Sequence, residues 1–264
     1  MVRNCSEFRA IAKAAGWQHS TESGDHTSLC GLTTLLGDTP AARIAATINP
    51  MPADQPHLPQ TPTTYVSRGG LKMAHAIGAF AIDPTGLVCA DLGCSTGGFT
   101  DCLLQAGAAK IFSVDTAYGE LAWKLRKDPR VIVLERHNAL HTAPVELVDL
   151  VVVDLSWTPQ RLCVPVALAW LKPGGKVISL VKPHYELKSV ADAGGPVIDL
   201  PRGGILDETI AEDVTRRIID TLPSIGAKVL GLTKSPILGG KAGAKANAAT
   251  GSGNAEWLVL LERA

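Results

Sequence analysis

The stretch LVCADLGCSTGGFTDCLLQAGAAKIFSVD, residues 87–115, decides the fold of this chain. Val88 to Leu92 is a short apolar run, typical of a strand that is buried on both faces of a parallel sheet. After a glycine-rich turn, Phe99 to Gln105 predicts a helix, and a second apolar run from Ile111 to Val114 ends in Asp115. The order is therefore strand, tight turn, helix and a second strand that carries a carboxylate at its end.

The turn itself, GCSTGG at residues 93–98, has the composition of a nucleoside-binding loop. Gly93, Gly97 and Gly98 let the backbone turn sharply and let a ligand approach where a Cβ would collide. Asp115, about 20 residues downstream, is placed to accept hydrogen bonds from ribose hydroxyls. The spacing G-x-x-x-G-G differs from the dinucleotide pattern G-x-G-x-x-G, which favours S-adenosylmethionine over NAD because S-adenosylmethionine has no pyrophosphate. An ordinary tight strand-to-helix turn is the alternative interpretation.

The composition of the 264 residues excludes several classes of protein. Lys and Arg total 25 and Asp and Glu total 25, so no overall field indicates a nucleic acid or a membrane as the partner, although a local basic cleft is compatible with this balance. The six cysteines form no C-x-x-C pair and follow no secretory segment, which predicts a reduced, cytoplasmic protein. No apolar run has the length of a membrane-spanning helix.

Residues 1–64 are expected to form a separate N-terminal segment of no recognisable function. Prolines crowd its last part, between Pro50 and Pro62, which indicates an extended linker. Its four basic and five acidic residues make it a poor electrostatic contact for RNA. Cys5, His19, His26 and Cys30 lack the close pairing of zinc ligands, so scattered structural residues are favoured over a metal site.

From residue 65 onward, strands and helices alternate, which predicts an α/β fold with a doubly wound, seven-stranded and mostly parallel sheet, Rossmann-like in class. The remaining strands are predicted at 131–134, 148–154, 177–181, 228–232 and 257–261. The remaining helices are predicted from Ser67, over 119–126 and 159–171, and after Asp207, with Ile210, Val214, Ile218 and Leu222 facing inward. The run KPGG at 172–175 should end a helix, Pro183 should exclude helix and sheet, and residues 239–253 should form a mobile loop.

Three charged residues stand where buried strands are predicted to end: Asp115, Asp154 and Lys182. The carboxyl ends of parallel strands meet at one edge of the sheet, where ligands bind in this fold class. A charge beside a core must be paired or functional. The alternative to a functional site is an Asp154–Lys182 ion pair that only stabilises this edge.

At this point the chain resembles a known family. The motifs YVSRGGLK, DLGCSTGGFTDCLLQ, VDTAYGELAWKLRKDPRV, VVVDLSW, LVKPHYE, SPILG and GNAEWL are similar, in the same order over about residues 65 to 262, to those of the haemolysin-A (TlyA) branch of FtsJ-like RNA 2′-O-methyltransferases. The resemblance implies S-adenosyl-L-methionine as cofactor and RNA as substrate, ribosomal RNA or a ribosomal subunit in particular. Typical members also carry a small N-terminal RNA-binding domain, and residues 1–64 lack its features, so the RNA target stays open.

The resemblance places the family's catalytic Lys-Asp-Lys-Glu tetrad on Lys72, Asp154, Lys182 and Glu256. Lys182 would be the base that takes the proton of a ribose 2′-hydroxyl, which requires its pKa to fall towards neutrality. The Lys72 charge and a dry cleft would lower this pKa, whereas the two acids would raise it, and the sequence does not say which effect is larger. Asp154 would orient Lys182, and Glu256 would orient either Lys72 or the ribose.

The same matching assigns the binding residues. The methionine and ribose end of the cofactor would lie against Gly93, Ser95, Gly97 and Gly98, with Asp115 on the ribose. The adenine would lie beside Asn138 and Ala139, and the RNA backbone beside Ser67 and Arg68. Two alternatives are open: a turn-forming role for Asn138, and an N-cap at Ser67 with a solvated charge at Arg68. For the basic cluster of Lys124, Arg126, Lys127 and Arg130, a solvated helix end is favoured over an RNA patch.

Three functions are compatible with these observations. The first is S-adenosylmethionine-dependent 2′-O-methylation of RNA, with no metal and no membrane partner expected. The second is a non-catalytic protein that binds S-adenosylmethionine or RNA on the same fold, which the presence of all four tetrad residue types disfavours. The third is an NAD-dependent oxidoreductase, which the glycine spacing disfavours.

Overall fold

The computed structural model of the chain describes residues 64–240 and 253–264. The predictions made for the N-terminal segment, including its linker and its cysteine and histidine residues, lie outside the described residues. The same holds for most of the predicted loop over 239–253.

The described elements alternate as the sequence predicts. The helices are α1 (Gly69–Ala79), α2 (Gly98–Gln105), α3 (Trp123–Arg126), α4 (Gln160–Ala169), α5 (Pro183–Asp192) and α6 (Glu208–Thr221), with a 3₁₀ turn over Leu222–Ile225. The strands are β1 (Val88–Leu92), β2 (Lys110–Asp115), β3 (Val131–Glu135), β4 (Val148–Val153), β5 (Leu171–Val181), β6 (Ala227–Lys234) and β7 (Trp257–Arg263).

These strands form one seven-stranded sheet in the order β3-β2-β1-β4-β5-β7-β6. The first five strands in this order are parallel, and β7 runs antiparallel to both β5 and β6. The strand order reverses next to β1, between β2 and β4, and in an open parallel sheet the crevice at such a point binds ligands. The predicted fold class is confirmed.

Helices cover both faces of the sheet, and each face has its own apolar cluster. Met73 of α1 and Leu103 of α2 pack on the face that includes Ile111, and all three are 0% exposed. Val164 of α4 and Ala211 of α6 pack on the other face. Burial on both faces explains why the central strands read as continuous apolar runs rather than as alternating ones.

Four local predictions are wrong, each for a physical reason. Pro183 does not exclude a helix but begins one, α5, because proline at the first helical position lacks only an N–H that the helix leaves unpaired. The KPGG run at 172–175 lies within β5, where the register with β4 shifts after Val148 and accommodates the extra residues. Only residues 123–126 of the predicted helix 119–126 are helical. Ile210, expected inward, is 40% exposed, whereas Val214, Ile218 and Leu222 are buried.

The inward face of α1 also differs from an ordinary amphipathic stripe. Its buried residues include Lys72 and Met73, whereas Leu71 is 47% exposed. A lysine on the covered face of a helix needs a partner, because burying an unpaired charge costs several kcal/mol, about as much as a whole domain's net stability. In the ranges 64–240 and 253–264, no helix combines the length and the apolar character needed to cross a membrane.

Candidate active site

The three strand ends singled out above lie at one edge of the sheet. Asp115 is the last residue of β2, Asp154 follows β4 and Lys182 follows β5. Backbone hydrogen bonds fix their positions against β1: the Asp154 N–H donates to the Leu92 carbonyl at 3.0 Å. The glycine turn leaves β1 at the same edge, so the turn and the three charged residues surround one region.

At two positions of the turn, the backbone conformation and the surrounding atoms leave no room for a Cβ, so glycine is required there. Gly93 has a φ of +93°, and a Cβ there would lie 2.5 Å from the backbone oxygen of Asp154. Gly97 has a φ of +95°, and a Cβ there would overlap the side chains of Leu121 and Leu125. The turn is therefore packed directly against the end of β4 on one side and against α3 on the other. Gly93 sets the distance between the glycine turn and Asp154.

Asp115 anchors the turn and still has capacity to bind a ligand. Its Oδ2 accepts the N–H of Ser95 at 2.7 Å, and its Oδ1 accepts the N–H of Ala117 at 2.8 Å. Each carboxylate oxygen has a second lone pair, so the half-buried carboxylate can accept two further hydrogen bonds from a diol. These residues fit a bound nucleoside with its ribose at the end of β2.

A buried acid that the prediction missed lies beneath the turn. Asp91 of β1 is 0% exposed, and its Oδ2 accepts the N–H of Thr100 at 3.0 Å and its hydroxyl at 2.7 Å. Its Oδ1 is buried without a hydrogen-bond partner. Burial, together with the charges of Asp154 and Asp115, raises the pKa of Asp91 to about 7 against the effect of the Thr100 hydrogen bonds. The signal in the sequence was a lone acid inside the apolar run VCADL.

Lys182 and Asp154 form an ion pair at the carboxyl end of the central strands. The side chains are 12% and 26% exposed, so both are largely removed from water. Burial lowers the pKa of Lys182, but the charge and hydrogen bond of Asp154, with smaller contributions from Glu256 and Tyr185, outweigh burial and raise that pKa overall. Lys182 is therefore an ammonium ion in the free protein. The sequence did not say whether burial or the acids have the larger effect on the pKa of Lys182, and in the structure the acids do.

Lys72 and Glu256 form a second ion pair, and the partner of the buried lysine on α1 is thereby found. Their side chains are 11% and 4% exposed although 184 residues separate them in the chain. Gly239 lies against this carboxylate, and a Cβ at residue 239 would overlap the Glu256 side chain. Of the two roles predicted for Glu256, the structure contains the contact with Lys72.

The two ion pairs are neighbours because of the antiparallel pairing of β5 with β7. Val181 lies opposite Trp257, which places Lys182 and Glu256 one position beyond this pair on adjacent strands. The effect of the Glu256 charge on Lys182 agrees with this placement. The four residues of the predicted tetrad thus lie together as two coupled ion pairs.

The segment after β3 also lies beside the nucleoside region. The His137 N–H donates to the Asp115 carbonyl at 2.9 Å, which holds residues 137–139 against the end of β2. Asn138 is exposed, and its Oδ1 accepts the Leu140 N–H at 3.0 Å, the turn-forming role kept as an alternative. Ala139 is 3% exposed. A contact of Asn138 or Ala139 with adenine stays a prediction.

Ser67 and Arg68 precede α1 at the same edge. The N-cap residue is Arg68, without a side-chain capping hydrogen bond, so the alternative of an N-cap at Ser67 is wrong. The Ser67 hydroxyl instead lies against the start of α2, where a Cβ on Gly98 would overlap it. The Arg68 side chain is exposed and lies beside Gly240. Contacts of both residues with RNA stay predictions.

Exposed aromatic rings, which the sequence did not single out, border this region. Trp157, three residues after Asp154, is 76% exposed and lies 6.0 Å from the ring of Tyr185, measured between centroids. Tyr185 lies in the first turn of α5, and its N–H donates to the Lys182 carbonyl at 2.9 Å. The tryptophan of the VVVDLSW motif and the tyrosine of the LVKPHYE motif therefore flank the Lys182–Asp154 pair.

Within the described ranges, no group of three or more His, Cys, Asp and Glu side chains is arranged to hold a metal ion. A cleft of about 510 Å³ lies between α5 and α6, and its lining includes Glu186, Val190 and Ile218. The two ion pairs, Lys182–Asp154 and Lys72–Glu256, lie instead at the open edge of the sheet.

Comparisons with known proteins agree with this geometry. The profile of the family described as FtsJ-like methyltransferase matches residues 65–245. YqxC of Bacillus subtilis is 38% identical over 204 residues, which cover 76% of this chain and 66% of that protein. The 16S/23S rRNA (cytidine-2′-O)-methyltransferase TlyA of Mycobacterium tuberculosis is 45% identical over 139 residues, 51% of this chain and 52% of that protein. The chain thus matches about half to two thirds of the length of these relatives.

A solved structure from Streptococcus thermophilus superposes with a TM-score of 0.65 at 34% identity, covering 77% of this chain and 69% of the other. The profile match extends over most of the described residues and includes the glycine turn, Asp115, Asp154 and Lys182. The chain belongs to the FtsJ-like methyltransferase family.

Proposed function

We propose that this protein is an S-adenosylmethionine-dependent RNA methyltransferase that methylates a ribose 2′-hydroxyl, with ribosomal RNA as its substrate. The observation that carries the proposal is the meeting of two buried ion pairs, Lys182–Asp154 and Lys72–Glu256, beside a nucleoside-type glycine turn. The relative TlyA of Mycobacterium tuberculosis is named for this reaction on 16S and 23S rRNA.

The residues at the strand ends suit this cofactor. Asp115 would bind the ribose hydroxyls with the lone pairs that Ser95 and Ala117 leave free. The turn 93–98 would hold the methionine part, and residues 137–139 would lie along the adenine. When bound, S-adenosylmethionine supplies a methyl group that is already activated by its positive sulfur, so alignment of the ribose oxygen with the S–C bond would provide much of the rate.

The base in this proposal is the neutral amine of Lys182. The ribose oxygen forms a bond to the methyl carbon as the carbon–sulfur bond breaks, and the hydroxyl proton moves to Lys182 Nζ. Because Lys182 is an ammonium ion in the free protein, it must lose a proton before the reaction. A positive sulfur bound nearby disfavours a second positive charge, so cofactor binding would lower the pKa of Lys182.

The pair Lys72–Glu256 would hold the other side of the reacting ribose. Its deep burial restricts both side chains, since each buried charge is compensated by its partner in the pair. A non-catalytic binding protein would not need two such pairs at one ligand edge, and buried pairs contribute little to stability compared with apolar residues of similar size. This comparison favours an enzyme.

The decisive experiment measures transfer of a radiolabelled methyl group to ribosomal subunits from a strain that lacks the gene. We expect the wild-type protein to label RNA at a ribose, and Lys182→Ala to abolish labelling while calorimetry shows nearly unchanged affinity for S-adenosylmethionine. Lys228→Ala, an exposed lysine of β6 paired with Glu262, is the matched control and should retain full activity. Binding of NAD in place of S-adenosylmethionine, or equal loss of labelling and cofactor affinity in Lys182→Ala, would refute the proposal.

A further inference from the structure

We propose that Trp123 of α3 and Lys127, the residue that follows this helix, form a stacking contact for an unpaired nucleotide of the RNA, next to the nucleotide that is methylated. This inference rests on the proposed function and adds a substrate contact outside the tetrad and the cofactor residues.

The placement of exposed aromatic rings is the first observation. Within the described ranges, the large aromatic side chains that are mostly exposed are Tyr118, Trp123 and Trp157, at 69%, 69% and 76%. All three follow a parallel strand, β2 or β4, on the side where that strand ends. The tryptophans that lie away from this edge or point into the core, Trp170 and Trp257, are 0% and 6% exposed. Exposed rings are therefore concentrated at the edge that carries the candidate site.

The second observation is that α3, although short, is fixed to the glycine turn. The Ala122 N–H donates to the Thr96 carbonyl at 3.1 Å, and Leu125 is 2% exposed where it packs against Gly97. Lys124 Nζ lies 2.9 Å from Oδ2 of Asp101, an acid of α2 whose side chain is 4% exposed. These contacts fix the base of α3 and leave the Trp123 ring outside it, at a set position relative to the cofactor turn.

The charges of this segment form the third observation. Three of its four cations are neutralised by acids: Lys124 by Asp101, Arg126 by Glu135 and Arg130 by Asp128. Lys127 forms no ion pair within the described residues, and its Nζ lies 4.8 Å from the centroid of the Trp123 ring. Of the four cations in this cluster, Lys127 is therefore the one without an ion pair among the described residues, and it lies over the exposed Trp123 ring.

An unpaired nucleotide is the ligand that suits such a pair. A base can stack on the indole surface, and the adjoining phosphate can approach the Lys127 ammonium. An apolar protein partner would need a continuous apolar patch, whereas the chain that follows Trp123 carries three cations, Lys124, Arg126 and Lys127. The position of α3 beside the glycine turn places this nucleotide next to the reacting ribose.

The test measures methyl-transfer kinetics on ribosomal subunits from the deletion strain with Trp123→Ala, Trp123→Phe and Lys127→Ala. Because stacking of one base contributes about 1–3 kcal/mol, KM for the RNA should rise about fivefold or more in Trp123→Ala. Trp123→Phe, which keeps a ring, should recover most of the loss. Lys127→Ala should reduce the slope of log KM against log salt by about one. Affinity for S-adenosylmethionine and kcat should not change in any of the three.

Val145→Ala and Lys228→Ala are the matched controls. Val145 is 63% exposed and precedes β4, and Lys228 opens β6, so both lie at the opposite edge of the sheet. An unchanged KM in Trp123→Ala would overturn the inference while wild-type labelling upheld the proposed function. A fall in kcat or in cofactor affinity would also overturn it, since it would assign Trp123 to the cofactor turn. A rise in KM on intact subunits but not on protein-free ribosomal RNA would overturn it in favour of a protein contact.

Discussion

The Cα of Gly93 faces the backbone oxygen of Asp154 so closely that any side chain would bring its Cβ to 2.5 Å from that oxygen. This contact joins the loop proposed to hold the cofactor to Asp154, the ion-pair partner of Lys182. The distance between the glycine turn and Asp154 therefore depends on the lack of a Cβ at residue 93.

We expect Gly93→Ala to destabilise the protein and to weaken S-adenosylmethionine binding together. The φ of +93° disfavours any residue with a Cβ, and the overlap with Asp154 adds to this strain, for a total of about 1–3 kcal/mol or more. Urea denaturation and calorimetry would measure the two effects. Gly78→Ala is the control, because a Cβ there meets no atom within 4 Å and should stabilise α1 by about 0.5–1 kcal/mol. Equal denaturation midpoints for Gly93→Ala and wild type would contradict this explanation.

The buried pair Lys72–Glu256 predicts different responses of stability and activity. Glu256→Gln leaves the Lys72 charge buried without compensation, which should cost about 3–5 kcal/mol of unfolding free energy. The double variant Lys72→Met with Glu256→Gln removes both charges, so stability should largely return while methyl transfer should not. For comparison, Lys228→Met breaks an exposed pair and should change stability by about 1 kcal/mol or less. If the double variant regained activity, the pair would be structural only.

The Lys182–Asp154 pair predicts the pH dependence of methyl transfer. In the proposed mechanism the base is the neutral amine of Lys182, so activity should rise with pH as Lys182 loses its proton. The acids around Lys182 raise its pKa and should move this rise to higher pH. Asp154→Asn removes the largest contribution that raises the pKa of Lys182. The rise in kcat/KM should then move to lower pH, even though the maximal rate falls because Lys182 is less well oriented. Asp192→Asn, in an exposed pair with Lys188, should leave the profile in place, and an unmoved profile in Asp154→Asn would exclude Lys182 as the base.

The features that the sequence predicted well are those encoded within a few residues. A buried apolar run that ends in a charge specifies both a strand and its carboxyl end. The sequence of residues 88–182 was therefore sufficient to predict that Asp115, Asp154 and Lys182 share one edge of the sheet. The helix α5 was missed because proline excludes most helical positions but not the first, and the sequence does not show which position Pro183 takes.

The features that could not be predicted depend on residues far apart in the chain. The contact of Glu256 with Lys72 joins α1 to β7 across 184 residues, and only the resemblance to a known family indicated that the two belong to one site. The side of α1 that is covered could not be inferred either, because a buried lysine breaks the apolar periodicity on which that inference depends.

Glu186 of α5 predicts a pH-dependent loss of stability that is separate from catalysis. Its side chain is almost fully buried, with Oε1 accepting the Gln160 N–H at 2.7 Å and Oε2 buried without a hydrogen-bond partner. Burial raises the pKa of Glu186 to about 7 from 4.5, against the effects of the Gln160 and Ser189 hydrogen bonds and the Arg161 charge. Between these two values the folded state binds more protons than the unfolded state, so stability should fall as pH rises from 4.5 to 7 and stay reduced above 7.

Glu186→Gln keeps an oxygen for the Gln160 N–H but cannot ionise, so it should escape this loss. Its unfolding free energy relative to wild type should increase through this pH range by up to about 3 kcal/mol, as measured by urea denaturation between pH 4.5 and 8.5. Asp91 titrates in the same range in both proteins and cancels from the difference. Glu208→Gln, an exposed acid at the start of α6, should give a nearly constant difference. The difference in unfolding free energy between Glu186→Gln and wild type changes with pH only if the pKa of Glu186 is raised in the folded state. A difference that stays constant with pH would therefore contradict the raised pKa and mean that Glu186 is ionised and partnered at neutral pH.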